Sequence, residues 1–491
     1  MMDCQKMKAL EKKGEQMNMK KYFIQVLALL FIIAACFAPN QASAQTQKPV
    51  FSEVTVHDPS IIKANGTYYV FGSHLASAKS TDLMNWTQIS SSVHDGNPLI
   101  PNVYEELKET FEWAESDTLW APDVTQLEDG KFYMYYNACR GDSPRSALGL
   151  AVADDIEGPY KNKGIFLKSG MDGISNDGTP YDATKHPNVV DPHTFFDQKG
   201  KLWMVYGSYS GGIFILEMDK KTGLPLPGQG YGKKLIGGNH SRIEGAYILY
   251  HPETQYYYLY MSFGGLAADG GYNIRVARSK NPDGPYYDAE GHAMIDVRGK
   301  EGTLFDDRSI EQYGVKLMGN FSFNNKNGYV SPGHNSAFYD EKSGKSYLIF
   351  HTRFPGRGEE HEVRVHQLLM NKQGWQVAAP HRYAGEKLEK VKTSDVIGAY
   401  ELVRHGKDIS ADIKESKEIR LNQNGKITGA VAGTWKNTGH NKIELKIDGK
   451  TYDGVFLRQW DAASERKVMT FSALSREGDA VWGSSLKRAE F

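Results

Sequence analysis

Cysteine is scarce in this chain, with three copies among 491 residues. Two of them, Cys4 and Cys36, precede Ala44, where we expect cleavage, so that Cys139 would remain alone in the mature protein. A single cysteine excludes an internal disulfide, and a stable fold must therefore rest on its packed core. No Cys-His motif surrounds Cys139, which indicates a buried, inert thiol rather than a nucleophile.

An excess of either charge is also missing. The 58 Lys and Arg residues and the 59 Asp and Glu residues leave a formal charge of −1. This balance, without any basic stripe, argues against nucleic acid as a partner and accommodates a neutral polymer. Long helical periodicity is absent as well, whereas 50 glycines supply turns. The composition therefore predicts a β-rich globular protein.

The one long apolar run lies near the N-terminus and has the anatomy of an export signal. Tyr22 to Ala35 is almost entirely apolar, follows a basic region that begins at Met19, and precedes the small-residue cleavage site Ala42-Ser43-Ala44. The run is too short for a good membrane span. We expect an exported protein, periplasmic or extracellular, with residues 1–44 as the signal and Met19 as an alternative start. A lipobox-like Ile33-Ala34-Ala35-Cys36 makes lipid attachment at Cys36 the alternative to cleavage.

Five aromatic runs recur along the chain, and each follows a short motif with one or two polar residues. The runs are Tyr68–Ser73, Phe132–Tyr136, Leu202–Ser208, Tyr256–Ser262 and Tyr347–Thr352. The motifs contribute Asp58, Asp123, Asp191, Glu244 and His334. Repeats of this length, each with about four strands, are typical of propeller blades. The sequence predicts a five-bladed β-propeller with insertions at Val93–Ser116 and Asp296–Gly328, between blades one and two and between blades four and five.

Beyond Tyr383 the pattern changes to strands that alternate polar and apolar residues. Asn424-Gly425 and Asp448-Gly449 are strong turn signals between them. We therefore predict an all-β chain with a propeller over residues 45–385, a solvated linker over 386–393 and a small antiparallel, barrel-like C-terminal domain over 394–491. Because no exposed aromatic cluster stands out, we expect this domain to stabilise the propeller rather than bind glycan.

Three of the blade motifs carry carboxylates that should converge. The innermost strands of a propeller line its central channel, which brings Asp58, Asp191 and Glu244 together. Glycoside hydrolysis needs one carboxylate to activate water and one protonated acid to assist the leaving oxygen. A third carboxylate raises the pKa of the acid by like-charge repulsion. An isolated Asp-Pro is usually a turn residue, so the set carries the inference. The following prolines predict extended backbone at Asp58 and Asp191.

The five motifs together resemble glycoside hydrolase family 43 and, within it, the two-domain bacterial endo-1,5-α-L-arabinanases. The motifs are Val56–Ser60, Trp120–Asp123, Asn188–Pro192, Ile243–Ala246 and Gly333–Ser336. The resemblance runs from about residue 51 to the C-terminus. It implies hydrolysis of internal α-1,5-L-arabinofuranosidic bonds in arabinan with inversion of configuration. It further implies that Asp58 is the general base, Glu244 the general acid, and Asp191 the residue that orients the acid and modulates its pKa.

The resemblance also implies one calcium ion in the channel, held by His334 and waters. Calcium prefers oxygen ligands, so a histidine alone does not suggest it. Further residues are candidates for substrate binding, with alternatives open. Trp120 either stacks on a sugar ring or packs in the core, and Asp123 either contacts substrate or holds structure. His74, Tyr209 and Arg353 follow aromatic strands and are candidates to reach the cleft.

The sequence leaves two alternative functions open. An exo-acting α-L-arabinofuranosidase or β-xylosidase of the same family would differ in whether loops block one end of the cleft, which the two insertions decide. A non-catalytic carbohydrate-binding propeller is the rival of another class, and the full carboxylate set argues against it.

Overall fold

A computed structural model describes residues 9, 12–21, 48–171, 173–324 and 328–488. The chain divides into two units, Met1–Lys48 and Pro49–Phe491. In the first unit, residues 12–21 are helical and exposed. The predicted apolar run from Tyr22 to Ala35, the lipobox cysteine Cys36 and the cleavage site at Ala44 lie outside the described residues. No helix among the described residues has both the length and the apolar character that crossing a bilayer requires.

Five antiparallel sheets form the first part of the larger unit. The first three sheets consist of β1 Ser60–Ala64, β2 Thr67–Gly72, β3 Ala76–Ser80 and β4 Trp86–Ser90; β5 Trp120–Gln126, β6 Phe132–Cys139, β7 Ser146–Ala153 and β8 Lys161–Lys168; and β9 His193–Phe196, β10 Leu202–Tyr206, β11 Ile213–Met218 and β12 Lys233–Ile236. The last two consist of β13 Ile243–His251, β14 Tyr256–Phe263, β15 Asn273–Ser279 and β16 Val315–Met318; and β17 Phe321–Ser322, β18 Gly328–Asp340, β19 Lys345–Arg353, β20 His361–Met370 and β21 Gln376–Ala378.

The innermost strands of the five sheets surround one axis. In ring order, β1 contacts β5, β5 contacts β9, β9 contacts β13, β13 contacts β18, and β18 contacts β1. Sheets arranged radially around a closed ring of inner strands are the blades of a propeller. The five-bladed architecture predicted from the sequence is confirmed.

The predicted aromatic runs lie on the strand that pairs with the innermost strand of each blade, namely β2, β6, β10, β14 and β19. Their tyrosines pack between neighbouring blades. Tyr135 and Tyr206 are fully buried in a cluster that joins blades two and three. Tyr258 and Tyr260 are fully buried in a cluster that joins blades four and five. Packing of aromatic side chains on pleated surfaces explains these residues.

The segment before β1 ties the first blade to the last. Ser52 exchanges backbone hydrogen bonds with blade one, where its N–H donates to Met84 O at 3.2 Å and its carbonyl accepts from Trp86 N at 3.1 Å. Two residues later, Val54 O accepts from Val363 N in blade five at 3.1 Å. Val54 and Val56 also belong to an apolar cluster shared by these two blades. The N-terminal segment therefore closes the ring.

The C-terminal domain is a closed barrel, which confirms the barrel-like prediction. Its strands, in order, are β22 Gly398–Arg404, β24 Lys417–Leu421, β25 Lys426–Gly429, β26 Gly433–Gly439, β27 Lys442–Ile447, β28 Lys450–Asp461, β29 Arg466–Ser475 and β30 Ala480–Arg488. Between β22 and β24 the chain leaves the barrel and forms β23 Lys414–Glu415. The short strand β23 instead pairs in parallel with β17 at the edge of blade five.

Helices are few and short among the described residues of the larger unit. They are Val103–Glu106, Lys108–Ala114, Asp307–Ile310 and Thr393–Val396, with 3₁₀ turns at Ser73–Leu75 and Met294–Asp296. The first two lie in the predicted insertion Val93–Ser116. The second predicted insertion, Asp296–Gly328, has the wrong bounds, because it contains β16, the outer strand of blade four. Four residues are too few to display the alternation that identifies a strand in sequence.

Candidate active site

The polar motifs that precede the aromatic strands meet around the axis of the propeller. A cavity of about 20 Å³ lies between them, and its lining includes Asp58, Asp191, Gly245, His334 and Asn335. These residues come from blades one, three, four and five. The volume suits about one water molecule or ion. The convergence predicted for the three carboxylates is therefore observed, with Glu244 directly before Gly245.

Asp58 is buried, and polar groups from three segments of the chain surround it. Ser73 donates its hydroxyl to Oδ2 at 2.5 Å, His334 Nδ1 lies 3.1 Å from Oδ1, and His57 Nδ1 lies 2.8 Å from Oδ2. Burial by itself raises the pKa of Asp58, but the charges of His334 and His57 outweigh it and hold the pKa well below its usual value. Asp58 is thus an ionised carboxylate over the whole neutral range.

Asp191 is equally buried but titrates in the opposite direction. Burial, followed by the negative charge of Asp58, raises the pKa of Asp191 well above its usual value. One backbone group offsets this, since Gly245 N donates to Oδ2 at 3.3 Å. That bond joins Asp191 to the residue after Glu244, and Asp191 is therefore placed to orient the motif that carries Glu244.

Glu244 is buried with one hydroxyl on each carboxyl oxygen. Ser208 Oγ lies 2.7 Å from Oε2, and Tyr272 OH lies 2.9 Å from Oε1. Burial and then the charge of Asp191 raise the pKa of Glu244 to about 7, against the smaller opposing effects of His334 and Ser208. Glu244 is therefore a carboxyl group that exchanges its proton near neutrality.

The backbone at the two aspartates differs from the expectation. Asp58 has φ 56° and Asp191 has φ 55°, so the extended geometry predicted from Pro59 and Pro192 is wrong at both. Left-handed backbone is uncommon outside glycine and asparagine-like residues. At Asp58 the backbone N–H donates to Nδ1 of the buried His351 at 3.1 Å, which holds the turn. At Asp58 a hydrogen bond to a residue distant in sequence thus opposes the preference that the following proline imposes.

His334 lies across the cavity from blade one. Its backbone N–H donates to Ser262 Oγ at 2.7 Å, and its ring packs so closely on Gly245 that a Cβ there would lie 3.1 Å from Cγ of His334. The neighbouring Asn335 is buried, and its Oδ1 has no hydrogen-bond partner among the described residues. A buried amide oxygen without a donor, beside an imidazole and a carboxylate, fits a calcium ion with waters, since calcium takes oxygen ligands.

Asp123 is buried and fully engaged by the protein. Ser60 donates to Oδ1 at 2.6 Å, while the hydroxyl and the N–H of Thr194 donate to Oδ2 at 2.6 and 2.8 Å. Burial raises its pKa, but His193, 3.5 Å from Oδ1, together with the hydroxyls of Ser60 and Thr194 outweighs burial and lowers the pKa. These contacts join blades one, two and three. Of the two roles open at the sequence level, they account for Asp123 as a residue that holds blades together.

Trp120 and His74 lie together at the channel side of blades one and two. Their ring centroids are 5.2 Å apart. The indole N–H of Trp120 donates to Cys139 O at 3.0 Å, and Nδ1 of His74 lies 2.6 Å from Thr118 Oγ1. Both side chains are half-buried, so each retains an exposed portion that a ligand can contact.

Tyr209 lies near Glu244 and Arg353 lies on β19 of blade five, and neither is part of the cavity lining. Tyr209 OH donates to Gly264 O at 3.3 Å, and burial followed by the charge of Glu244 raises its pKa. Its ring meets Phe305, which is half exposed on the segment after blade four. Arg353 is buried and donates from Nε to Glu359 at 2.5 Å. The structure thus gives Arg353 an ion-pair partner within blade five.

Sequence reasoning missed the hydroxyl groups that serve these side chains. Ser73, Ser208 and Ser262 are each the last residue of an aromatic run, and they bind Asp58, Glu244 and the backbone of His334, respectively. A serine at the same place in three repeats was a visible signal. Tyr272 and His351 had no such signal, because nothing in their neighbourhood distinguishes them from core aromatics.

Comparison with known proteins gives consistent matches over both domains. Residues 46–376 match the model of glycosyl hydrolases family 43, and residues 380–483 match a C-terminal lipocalin-like domain. The chain is 74% identical over 464 residues to extracellular endo-α-(1→5)-L-arabinanase 2 of Bacillus subtilis, covering 94% of this chain and 98% of that protein.

Two solved structures are similar over nearly all of the larger unit. A glycoside hydrolase family 43 protein from Bacillus licheniformis is 98% identical with a TM-score of 0.89, covering 90% of this chain and 100% of that chain. An endo-1,5-α-L-arabinanase from Thermotoga petrophila is 55% identical with a TM-score of 0.87 and the same coverage.

Proposed function

Because this chain belongs to glycosyl hydrolase family 43, we propose that it hydrolyses internal α-1,5-L-arabinofuranosidic bonds of arabinan. The similarity to the Bacillus subtilis endo-arabinanase extends over both domains and supports this substrate. The observation that carries the proposal is that two buried carboxyl groups have pKa values shifted in opposite directions. The pKa of Asp58 is well below its usual value, whereas that of Glu244 is raised to about 7. Such a pair supplies a base and an acid at the same pH.

In the proposed reaction Asp58 is the general base. It takes a proton from a water molecule as the water oxygen bonds to the anomeric carbon. Glu244, in its protonated form, gives its proton to the glycosidic oxygen as the bond from that oxygen to the anomeric carbon breaks. One product carries the new anomeric hydroxyl and the other a free 5-hydroxyl. Exchange with solvent then returns the proton from Asp58 to Glu244.

Asp191 has a supporting part in this scheme. Its charge is the largest effect after burial that raises the pKa of Glu244. Its hydrogen bond from Gly245 N fixes the strand start that carries the acid. We assign it the role of orienting Glu244 and keeping it protonated at the pH where Asp58 is ionised.

We infer in addition that His334, with waters, holds one calcium ion in the channel. The support is the buried, unpartnered Oδ1 of Asn335 beside His334 and the carboxylate of Asp58 nearby. A bound cation supplies positive charge that favours the ionised form of nearby carboxylates.

A panel of substrates tests the proposed activity. Purified protein is incubated with linear arabinan, branched arabinan and xylan, and products are separated by size. A mixture of arabino-oligosaccharides at early times supports internal cleavage. Arabinose or xylose as the sole product would instead indicate an exo-acting enzyme, and no release of reducing ends would indicate a binding protein. The anomer formed first, observed by proton NMR, tests single displacement, because retention contradicts the assigned roles.

We also propose that the protein is exported. The relative from Bacillus subtilis is named as extracellular, and the sequence carries a signal-like N-terminus. Mass spectrometry of the secreted protein distinguishes cleavage after Ala44 from lipid attachment at Cys36.

A further inference from the structure

One segment of the C-terminal domain leaves the barrel and lies on the propeller. This segment, the arm, comprises residues 405–415 between β22 and β24. Its end is fixed by backbone pairing, because Lys414 N donates to Asn320 O at 3.1 Å and β23 pairs with β17. The arm thereby becomes part of the sheet of blade five.

Two buried cations of blade four hold the middle of the arm. Lys316 Nζ donates to His405 O at 3.2 Å and to Asp408 O at 2.6 Å. Arg275 Nη2 donates to Lys407 O at 2.5 Å. The Arg275 side chain is fully buried, and a buried cation is stable only when its donors are satisfied. The arm carbonyls therefore complete the environment of both cations.

The tip of the arm packs on a glycine-rich loop. Residues 264–271, the acid-side loop, join β14 to β15. A Cβ on Gly271 would lie 2.9 Å from backbone atoms of Ser410, and a Cβ on Gly264 would lie 3.0 Å from Cγ2 of Ile409. Both glycines have positive φ, so neither position accepts another residue without strain. The arm and the loop are therefore in direct backbone-level contact.

The acid-side loop in turn adjoins one hydrogen-bond partner of Glu244. Tyr272 follows the loop directly and donates to Glu244 Oε1 at 2.9 Å. Ile409 also packs against the apolar cluster that contains Ile243 and Phe263, and these two residues pair across β13 and β14 at the step before Glu244. Two short routes, one polar and one apolar, connect the tip of the arm with the acid.

Blade five holds the loop from another side. Ser331 Oγ donates to Ala267 O at 2.8 Å, and Ala268 N donates to Glu359 at 2.9 Å. Glu359 is itself paired with Arg353. The loop is thus clamped between blade five and the arm.

We propose that the arm is a positioning element for the general acid: by packing on the acid-side loop, Ile409 and Ser410 fix Tyr272 and the carboxyl group of Glu244. The C-terminal domain then contributes to catalysis without touching substrate. This inference rests on the proposed function, since it assigns Glu244 as the acid. Displacement of a catalytic group by a fraction of an ångström costs rate even when the fold is intact.

The test uses the full chain with Ile409→Ala. We expect kcat on linear arabinan to fall about tenfold with KM nearly unchanged, because positioning of the acid is lost rather than substrate binding. We also expect faster hydrogen–deuterium exchange in peptides covering residues 264–271. The alkaline limb of the rate profile should move to higher pH, because a looser Tyr272 hydroxyl stabilises the carboxylate less against the charges of Asp191 and Asp58.

Matched variants separate positioning from folding. Ile413→Ala shortens another half-buried isoleucine of the arm, one that lies in a groove of the barrel, and should leave kcat and loop exchange unchanged. Ile409→Val should restore most of the activity. Unchanged kcat, pH limb and loop exchange in a folded Ile409→Ala variant overturn the inference. If wild-type protein does not cleave arabinan, the proposed function fails, and unchanged loop exchange in Ile409→Ala would then overturn the arm's hold separately.

Discussion

Nδ1 of His334 in the last blade lies 3.1 Å from Oδ1 of Asp58 in the first blade. The contact spans the junction at which the propeller ring closes. It makes the ionisation of Asp58 depend on a residue that is distant in sequence. The same imidazole packs on Gly245, the residue that follows Glu244. A single side chain from blade five thus adjoins both Asp58 and the motif that carries Glu244, the two residues of the proposed catalytic pair.

Replacing His334 should remove the metal. If the proposed calcium ion is bound through this residue, His334→Ala should lower calcium content from about one ion per chain to none by elemental analysis. The variant should also lose activity, and removal of calcium from wild-type protein by a chelator should cause the same loss. His94→Ala, in an exposed loop, serves as the control. Full calcium content in the His334→Ala variant would contradict the assignment.

Replacing Glu244 should remove the alkaline limb of the pH profile. The pKa of Glu244 is raised to about 7, so the wild-type rate should fall as pH rises through about 7 and the acid loses its proton. Glu244→Gln should lose roughly 10²- to 10⁴-fold in kcat/KM, with the remaining rate independent of pH in that range. A surviving limb would show that another group donates the proton.

Replacing Asp191 should move that limb to lower pH. The charge of Asp191 raises the pKa of Glu244, so Asp191→Asn lowers it and the acid is deprotonated earlier on the pH scale. Activity at pH 7 should fall more than activity at pH 5. The measurement is kcat/KM against pH for both proteins, and an upward movement of the limb would reverse the assigned role.

Tyr272→Phe should have the opposite effect on the limb. The substitution keeps the buried ring and removes only the hydroxyl that donates to Glu244 Oε1. A hydrogen bond to a carboxylate favours its charged form, so its loss raises the pKa of Glu244. We expect about a tenfold loss in kcat together with an alkaline limb at higher pH. An unchanged profile would mean that the hydroxyl is not coupled to the acid.

Asp123→Ala should act on stability before it acts on catalysis. The substitution leaves the buried N–H and hydroxyl of Thr194 without an acceptor, which costs about 1–3 kcal/mol for each unsatisfied group. A lower midpoint in urea unfolding is expected. Asp154→Ala, at an exposed ion pair with Lys131, should change the midpoint little. Equal midpoints of urea unfolding for the two variants would contradict the structural role of Asp123.

The sequence predicted the elements that repeat and missed those that do not. The aromatic strands and the polar motifs recur once per blade, so their register in the ring follows from counting, and Asp58, Asp191 and Glu244 converge as expected. The outer strand β16 was not predicted, because its four residues are too few to show the alternation that identifies a strand. The left-handed backbone of Asp58 was missed because it depends on His351, nearly three hundred positions along the chain.

The hydrogen-bond partners of Glu244 show the same limit. Ser208 occupies a repeated position and was within reach of sequence reasoning, whereas Tyr272 resembles any other buried tyrosine. The arm was missed for a further reason. Lys316 and Arg275 have no carboxylate neighbour in sequence that would mark them as anchors, and their hydrogen bonds to the arm go to backbone carbonyls, which any residue type provides.

The segment that closes the ring sets a boundary for N-terminal maturation. A chain cleaved after Ala44 keeps Ser52 and Val54, and therefore keeps the hydrogen bonds that join blade one to blade five. A protease that trimmed the mature end beyond Val56 would leave every assigned catalytic residue in the chain yet open the seam beside Asp58 and His334. We expect resistance to aminopeptidases to change abruptly at residue 52, and trimming beyond it to abolish activity without removing any assigned catalytic side chain.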